Sequence, residues 1–199
     1  MSVQPKHYYS PEEYLELERA AEYKSEYFDG EIFAMGGASP RHVLIVTNVA
    51  GELRSGLRDR PCTVYSTDLR VRVSPNGLHT YPDIVVVCGE LEFHDDNRDT
   101  LTNPLLIIEV LSKTTKNYDR GEKFEQYRMI PALAEYVLIA QDRTHVEQYF
   151  KQTGDTWVLS ETYDPHAVIL LRSIDCRLDL TEVYAKVEAI GPRVDDKLT

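Results

Sequence analysis

The sequence predicts a mixed α/β fold in which helices flank strands that are buried on both faces. Two segments rich in aliphatic and β-branched residues, 84–88 (IVVVC) and 105–111 (LLIIEVL), are typical of buried strands. Segments with apolar residues at helical spacing precede and follow them. The chain has 199 residues, of which 42% are hydrophobic, so it can bury a substantial core. We therefore expect a single domain over residues 1–199.

The N-terminal part is predicted to form a helix followed by a hairpin. Ser10, Pro11 and Glu13 combine a capping serine, a proline at the first helical position and a glutamate at the third, so a helix should run to about Ala21. Asp29-Gly30 separates two apolar runs, which is a hairpin signal.

A second helix is predicted to begin at Ser39-Pro40 and to end before Pro61. Its apolar residues repeat at helical spacing. His42 lies four residues ahead of the first of them and should therefore face inward. The repeating residues are Val46, Val49, Leu53 and Leu57.

The middle of the chain predicts short strands at 63–65 and 69–73, a turn at 74–77, and a buried strand that begins at Asp83. A polar loop at 89–103 precedes the strand that contains Glu109. A helix is expected from Asp119 to about Ile130, because Asp119 and Glu122 have capping spacing and Pro131 stops the helix. Further strands are predicted at 134–140, 145–151 and 156–161, and a terminal helix at 180–190.

Composition excludes several classes of protein. The formal net charge of −11 argues against bulk electrostatic binding of nucleic acid, although it does not exclude an enzyme that visits nucleic acid transiently. No apolar run is long enough to span a membrane and the N-terminus lacks a signal pattern, so we expect a cytoplasmic protein. The cysteines Cys62, Cys88 and Cys176 are far apart and lack metal-binding spacing, so we expect reduced packing residues.

Glu109 is the residue that most needs an explanation. A buried ionised carboxylate costs several kcal/mol unless it is paired, protonated or bound to a metal. Asp83 begins the preceding buried strand and also has apolar neighbours on its face. If the two strands are antiparallel neighbours, the carboxylates can converge, and a hard divalent ion such as Mg²⁺ would relieve their repulsion.

The helix after Glu109 supplies a third element, because Lys123 and Tyr127 project from one face at i and i+4. A lysine beside a metal-bound water could orient the nucleophile or offset the charge that develops on a phosphate. Lys123 could equally pair with Asp119 or Glu122 on a solvated face. Excess basic residues surround it and could face phosphates: Lys113, Lys116, Arg120 and Arg128.

At this point the residues resemble a known family. The Pro82-Asp83 and Glu109 pair is similar to the PD-(D/E)XK nuclease superfamily, and ordered blocks over about residues 11–150, which we take as the core, resemble the Uma2 family of restriction-endonuclease-like proteins. The blocks are EYFDGEIFAM, His42, YPDIVVV, IIEVLSKTT, YDRGEKFEQY and AEYVLI.

The resemblance implies a restriction-endonuclease-like mixed central sheet flanked by helices, with an N-terminal helix and hairpin, and DNA as substrate. It implies Mg²⁺ (or Mn²⁺) on Asp83, Glu109 and the carbonyl of Val110. The superfamily's usual lysine would fall at Leu111, and in the Uma2 pattern Lys123 replaces it; Lys113, where the family commonly has proline, is a nearer alternative. The resemblance also promotes Glu31, His42 and Tyr127 to supporting roles.

Three functions therefore stay open. The first is a Mg²⁺-dependent endodeoxyribonuclease with Asp83, Glu109 and Lys123 as its catalytic residues. The second is a catalytically silent relative that uses the fold for binding or regulation, which the net acidity and the displaced lysine favour. Glycoside hydrolysis by the carboxylate pair is the third, although Trp157 is the only tryptophan for stacking sugars. A homodimer through the terminal helix or the hairpin at 146–157 is a further expectation.

Overall fold

The computed structural model describes residues 7–74 and 77–187. The helical segments are α1 (Pro11–Ala20), α2 (Pro40–Gly56), α3 (Lys116–Tyr118), a π turn (Asp119–Lys123), α4 (Phe124–Tyr127), a 3-10 turn (Thr153–Asp155) and α5 (Leu180–Val183). The strands are β1 (Ser25–Phe28), β2 (Glu31–Ala34), β3 (Cys62–Ser66), β4 (Arg70–Arg72), β5 (His79–Thr80), β6 (Ile84–Cys88), β7 (Thr100–Leu101), β8 (Leu106–Leu111), β9 (Glu135–Ala140), β10 (Val146–Lys151), β11 (Trp157–Thr162), β12 (Val168–Leu171) and β13 (Cys176–Asp179).

A six-stranded mixed sheet in the order β11-β10-β9-β8-β6-β3 forms the centre of the fold. Only the pair β8 and β9 within it is parallel; the other neighbours are antiparallel. Strands β6 and β8 pair with Ile84 opposite Ile108. This confirms the mixed central sheet and the antiparallel pairing of the two apolar strands.

The central sheet is covered on both faces, which explains why β6, β8 and β9 are apolar along their whole length. One face packs on α2, α5 and the β12–β13 hairpin through a core that includes Val49, Ile108 and Leu178. The other face packs on the 116–127 helix and on β4 through a core that includes Ile107 and Tyr127. We call the segment α3, π turn and α4 the 116–127 helix.

The N-terminal predictions are confirmed. Ser10 caps α1, and its side chain and that of Glu13 form a reciprocal capping box. Strands β1 and β2 form the predicted hairpin, with Asp29 and Gly30 at positive φ in the turn. Ser39 caps α2, whose buried residues Val46, Val49 and Leu53 lie on the predicted face.

The 116–127 helix begins earlier than the sequence predicted. It starts at Lys116, so Asp119 is an interior residue, not a cap, and it is only 4% exposed. The carboxylate of Asp119 lies close to the ammonium of Lys123 on the same helix, with 3.8 Å between Oδ1 and Nζ. Burial by the sheet, not capping, therefore determines the position of this aspartate.

Two predictions on the peripheral strands and the terminal helix were incomplete. The polar loop at 89–103 contains β7, which joins a second sheet in the order β2-β1-β5-β4-β7. The segment before the terminal helix forms the β12–β13 hairpin, and α5 ends at Val183. Residues 188–190 of the predicted terminal helix, and 75–76 of the predicted turn, lie outside the described residues. Among the helices that the structure does describe, none has the length and apolar character needed to cross a membrane.

The expectation that all three cysteines are reduced is wrong for two of them. Cys62 and Cys88 lie directly opposite each other in the antiparallel pair β3–β6 and form a disulfide. Cys176 is free and buried, as expected of a packing residue. The sequence did not reveal the disulfide because 26 residues separate its cysteines and only the strand pairing brings them together.

Candidate active site

Asp83 and Glu109 meet on two interior strands of the central sheet, where β6 begins beside β8. The antiparallel register of β6 and β8 brings the residue before Ile84 next to the residue after Ile108. The backbone N–H of Val110 donates to Asp83 Oδ2 at 2.7 Å, and that of Asp83 donates to Glu109 Oε2 at 3.3 Å. Each carboxylate thus contacts the backbone of the other strand, which is the convergence that the sequence predicted.

Lys123 is the cation that approaches this pair. Its Nζ lies 2.9 Å from Glu109 Oε1 and 3.2 Å from Glu26 Oε1, with Asp119 Oδ1 at 3.8 Å. Both Lys123 and Glu109 are 5% exposed. Lys123 therefore does not lie on a solvated helix face; it points into the carboxylates.

Tyr127, one turn further along the same helix, holds Glu109 in place. Its hydroxyl donates to Glu109 Oε1 at 2.8 Å, and the ring is fully buried. The ring packs edge-on against Tyr136 of β9, with 5.3 Å between the ring centroids. Oε1 of Glu109 therefore accepts from Lys123 and Tyr127, while Oε2 faces Asp83.

Of the other two predicted supporting residues, His42 contacts Asp83, and Glu31 lies on the hairpin. His42, in the first turn of α2, places Nε2 2.9 Å from Asp83 Oδ1. Glu31 is the first residue of β2 and lies opposite Phe28. Glu26 of β1 is the hairpin carboxylate that reaches Lys123.

Glu26 is a site residue that the sequence reasoning missed, and Asp119 was considered only as a partner of Lys123 on a solvated helix face. Glu26 alternates with the buried Ser25 and Tyr27 and so projects from the other face of β1, with Phe28. Asp119 precedes Lys123 by four residues, which places both on one helix face. The alternation along β1 and the four-residue spacing on the helix can be read from the sequence. They show which residues share a face of one element, but not which other element packs on that face.

Burial and charge act together on the ionisation of the site. Burial raises the pKa of Glu109, and the negative charges of Asp83 and Asp119 add to this, while Lys123 opposes it. Burial alone would lower the pKa of Lys123, but Glu109, Glu26 and Asp119 raise it well above its usual value. Lys123 is therefore held as an ammonium at neutral pH.

The chemistry of the donors fits a hard divalent cation. Asp83 and Glu109 are carboxylates on one face of the sheet, and Glu109 Oε2 faces Asp83, away from Lys123. Burial raises the pKa of Glu109 and the charge of Asp83 adds to this rise, so a cation between the two carboxylates would favour the ionised form of Glu109. Mg²⁺ commonly takes one or two protein carboxylates and keeps water in its remaining positions.

The basic rim is smaller than the sequence suggested. Arg120 pairs with Glu147 of β10, with 2.7 Å between Nε and Oε1, and Arg128 lies over the ring of Phe124. Lys113 and Lys116 are exposed and line a small pocket with Arg143 at the carboxyl ends of β8 and β9. Lys123 is therefore the buried cation of the site, whereas Lys113, Lys116 and Arg143 form a separate group at the surface.

A family model now decides the relationship: Uma2, described as "Putative restriction endonuclease", matches residues 11–181. The chain belongs to the Uma2 family. The similarity to two curated relatives from Synechocystis sp. spans most of both chains. Uncharacterized protein sll1609 is 38% identical over 157 residues, covering 79% of this chain and 89% of the relative. Uncharacterized protein slr1290 is 33% identical over 177 residues, covering 88% and 90%.

A solved structure has the same fold as this Uma2 protein. It is the crystal structure of "a putative nuclease belonging to DUF820" from Anabaena variabilis, with a TM-score of 0.73 and 20% identity. The similarity covers 90% of this chain and 99% of the other. The nuclease-like α/β fold of this Uma2 chain is thereby established.

Proposed function

We propose that this protein is a metal-dependent endonuclease that hydrolyses phosphodiester bonds in DNA. Asp83 and Glu109 would hold Mg²⁺ or Mn²⁺, and Lys123 would assist the attacking water. The observation that carries the proposal is the contact of 2.9 Å between Lys123 Nζ and Glu109 Oε1, beside the converged Asp83. Membership of the Uma2 family and the nuclease named in the Anabaena structure support the same chemistry.

In this mechanism, the oxygen of a water adds to phosphorus as the P–O bond to the leaving deoxyribose oxygen breaks. The water releases a proton to bulk solvent, and the leaving oxygen takes up a proton from solvent. A divalent ion held by Asp83 and Glu109 would polarise the phosphate and would make water a stronger nucleophile at neutral pH. Lys123 stays protonated because of its carboxylate neighbours, so it cannot accept the proton of the water. It can donate a hydrogen bond to the water or to a phosphate oxygen, which stabilises the negative charge of the transition state.

His42 and Tyr127 act on the carboxylates themselves. His42 contacts Asp83 Oδ1, which leaves Oδ2 on the side of Val110. Tyr127 binds the oxygen of Glu109 that also contacts Lys123, which keeps Oε2 oriented towards Asp83. Both are positioning residues in this proposal, because neither needs to touch the substrate.

A second function, a silent binding or regulatory module, is favoured by one observation. Glu109 Oε1 already accepts from both Lys123 and Tyr127, so the buried carboxylate has partners without any ion. A silent module would keep these contacts for stability and would neither bind Mg²⁺ at Asp83 nor cut DNA.

Replacing Glu109 separates the two functions. We expect the parent protein to nick supercoiled plasmid with Mg²⁺ or Mn²⁺, and Glu109→Gln to lose at least about 100-fold of this activity, since the glutamine cannot hold the cation. The matched control is Glu122→Gln, which removes an exposed carboxylate from the same helix. Calorimetric titration with Mg²⁺ should detect binding to the parent and to Glu122→Gln only. Absence of both cleavage and metal binding in the folded parent would establish the silent module.

A further inference from the structure

A second group of metal-ligating side chains lies just before β10, on β10 and on β11, away from Asp83 and Glu109. His145, Glu147 and Glu161 each offer a ligand atom, and these atoms lie within 4.8 Å of one another. Glu147 and Glu161 are directly opposite in the antiparallel β10–β11 register. Like charges at directly opposed positions destabilise a sheet unless a cation or a proton intervenes.

Arg120 offsets only part of this negative charge. Its guanidinium contacts Glu147 alone among the two carboxylates, with Nε 2.7 Å from Oε1 and 3.0 Å from Oε2. Glu161 instead accepts from His145, whose Nε2 lies 2.9 Å from Glu161 Oε1. The hydroxyl of Tyr163 also donates to Glu161 Oε1 at 3.3 Å, so the partners of Glu161 are an imidazole and a phenol and not a guanidinium.

His145 has an unsatisfied nitrogen that points into the group. The residue is 5% exposed, and within residues 7–74 and 77–187 its buried Nδ1 has no hydrogen-bond partner. Glu147 Oε1 lies 3.8 Å from that nitrogen, which is too far for a hydrogen bond. The ring of Tyr163 stacks on the imidazole with 4.2 Å between centroids and 5° between planes, which sets the plane of the imidazole.

The arrangement of the two ring nitrogens suits a metal ligand. When Nε2–H donates to Glu161, the lone pair is on Nδ1 and faces the carboxylate of Glu147. Zinc lies about 2.0–2.1 Å from a histidine nitrogen and about 2.0–2.2 Å from a carboxylate oxygen, so an ion between the two groups can contact both across this gap. Metal-bound histidines usually donate their other N–H to a carboxylate, which is the position of Glu161.

We propose that His145 Nδ1 and Glu147 bind a divalent transition-metal ion, with Zn²⁺ as the best match, and that Glu161 orients the imidazole. Water completes the coordination. The ion takes no part in the reaction proposed at Asp83 and Glu109, because the register separates Glu109 from Glu147 by Leu138, a distance of about 10 Å across two strand spacings. Ions that share one phosphoryl-transfer reaction lie only about 3.5–4 Å apart.

The ion would also affect the 116–127 helix, since Glu147 holds Arg120 of the π turn that carries Lys123. An ion on Glu147 fixes the carboxylate that anchors this turn to β10. The proposal does not depend on nuclease activity, because its residues and contacts lie outside the Asp83 and Glu109 pair.

The test measures how many Zn²⁺ ions bind per chain in a variant that lacks the carboxylates of Asp83 and Glu109. We expect the double variant Asp83→Asn/Glu109→Gln to bind about one equivalent of Zn²⁺ per chain by equilibrium dialysis, with a rise in Tm. Adding His145→Ala should abolish both. The matched control adds His166→Ala, an exposed histidine, and should keep both. Equal binding after His145→Ala, or no binding by the folded double variant, would overturn the proposal.

Two further measurements keep the test decisive if the triple variant fails to fold. Glu161→Gln alters an exposed side chain and should weaken Zn²⁺ binding by roughly tenfold, because it removes the orienting carboxylate. Nitrogen NMR of His145 in the parent should show Zn²⁺ shifting the Nδ1 resonance. An imidazolium that is protonated on both nitrogens and unchanged by Zn²⁺ would show that a proton, not a metal, neutralises the group.

Discussion

Glu109 can occupy the middle of an apolar strand because two elements supply its three partners. Lys123 and Tyr127 come from the 116–127 helix, and the backbone N–H of Asp83 comes from the start of β6. These contacts compensate for the loss of water around the carboxylate, while burial and Asp83 still raise its pKa. At the scale of single residues, the site is a buried ion pair in which the second oxygen of Glu109 accepts from the backbone N–H of Asp83.

Replacing Lys123 tests the role of its charge. We expect Lys123→Met, which keeps the apolar stem and removes the ammonium, to lower the rate of DNA cleavage by about 100-fold, the size of effect found for a lost transition-state donor. The protein should stay folded because Glu109 can take up a proton. The measurement is single-turnover cleavage with Mg²⁺, together with circular dichroism.

The control for this variant is Lys151→Met. It removes a lysine whose partner Asp155 is mostly exposed, and surface ion pairs contribute little. Cleavage by Lys123→Met at the rate of this control would remove Lys123 from the mechanism.

His79 predicts how stability depends on pH. The residue is 0% exposed among the rings of Tyr14 and Tyr27, and burial lowers its pKa from 6.5 to about 4. The unfolded chain therefore binds more protons between about pH 4 and pH 6.5, so the contribution of neutral His79 is complete above that window and is lost as the pH falls through it. We expect this residue alone to lower the unfolding free energy by about 2 kcal/mol between pH 7 and pH 4.5.

Urea denaturation at the two pH values measures this effect. His79→Phe should show a smaller loss of stability on acidification than the parent, because phenylalanine does not titrate. His166→Phe, at an exposed position, should behave like the parent. Equal acid sensitivity of His79→Phe and the parent would contradict the assignment.

At the scale of elements, the sequence predicted best those helices and turns whose signals are local. The capping box of α1, the Asp29-Gly30 turn and the capped start of α2 each lie within a few residues of the element they define. The 116–127 helix was placed too late because Asp119 has the residue type of a cap but is buried under Lys123. Strands β5, β7, β12 and β13 were missed or only partly seen, since short strands exist only through their pairing partners.

The cap of α1 predicts a measurable loss of stability. Ser10 Oγ accepts from the N–H of Glu13 at 3.2 Å, and Glu13 Oε2 accepts from the N–H of Ser10 at 2.7 Å. We expect Ser10→Ala to lower the unfolding free energy by about 1 kcal/mol, since it leaves a helical N–H without its side-chain acceptor. Chemical denaturation measures this. Ser55→Ala, at an exposed position inside α2, serves as the control and should not be destabilising; a loss of similar size there would refute the capping argument.

At the scale of the whole molecule, two covered faces of one sheet hold the fold together. The core under α2 and the core under the 116–127 helix share β6, β8 and β9, so each strand contributes alternate residues to opposite sides. The disulfide between Cys62 and Cys88 links the edge strand β3 to β6, whose start carries Asp83. Whether two copies of this molecule associate through the 146–157 hairpin stays a prediction.

The disulfide predicts the number of reactive thiols. Protein purified without reductant and unfolded in guanidinium should react with about one equivalent of Ellman's reagent, from Cys176, and with about three equivalents after reduction. Cys176→Ser should reduce the first value to nearly none. Three reactive thiols before reduction would show that Cys62 and Cys88 are not joined.

The sequence by itself determined the mixed α/β class, the resemblance to the Uma2 family, and the unusual placement of Asp83 and Glu109 in apolar surroundings. Residue type and periodicity carry this information, because each depends only on near neighbours in the chain. The tertiary structure alone decided that Glu26 joins Lys123, that Arg120 turns to Glu147, and that Cys62 meets Cys88. The physical reason is strand order and register, which bring together side chains that are far apart along the chain and cannot be read from either segment alone.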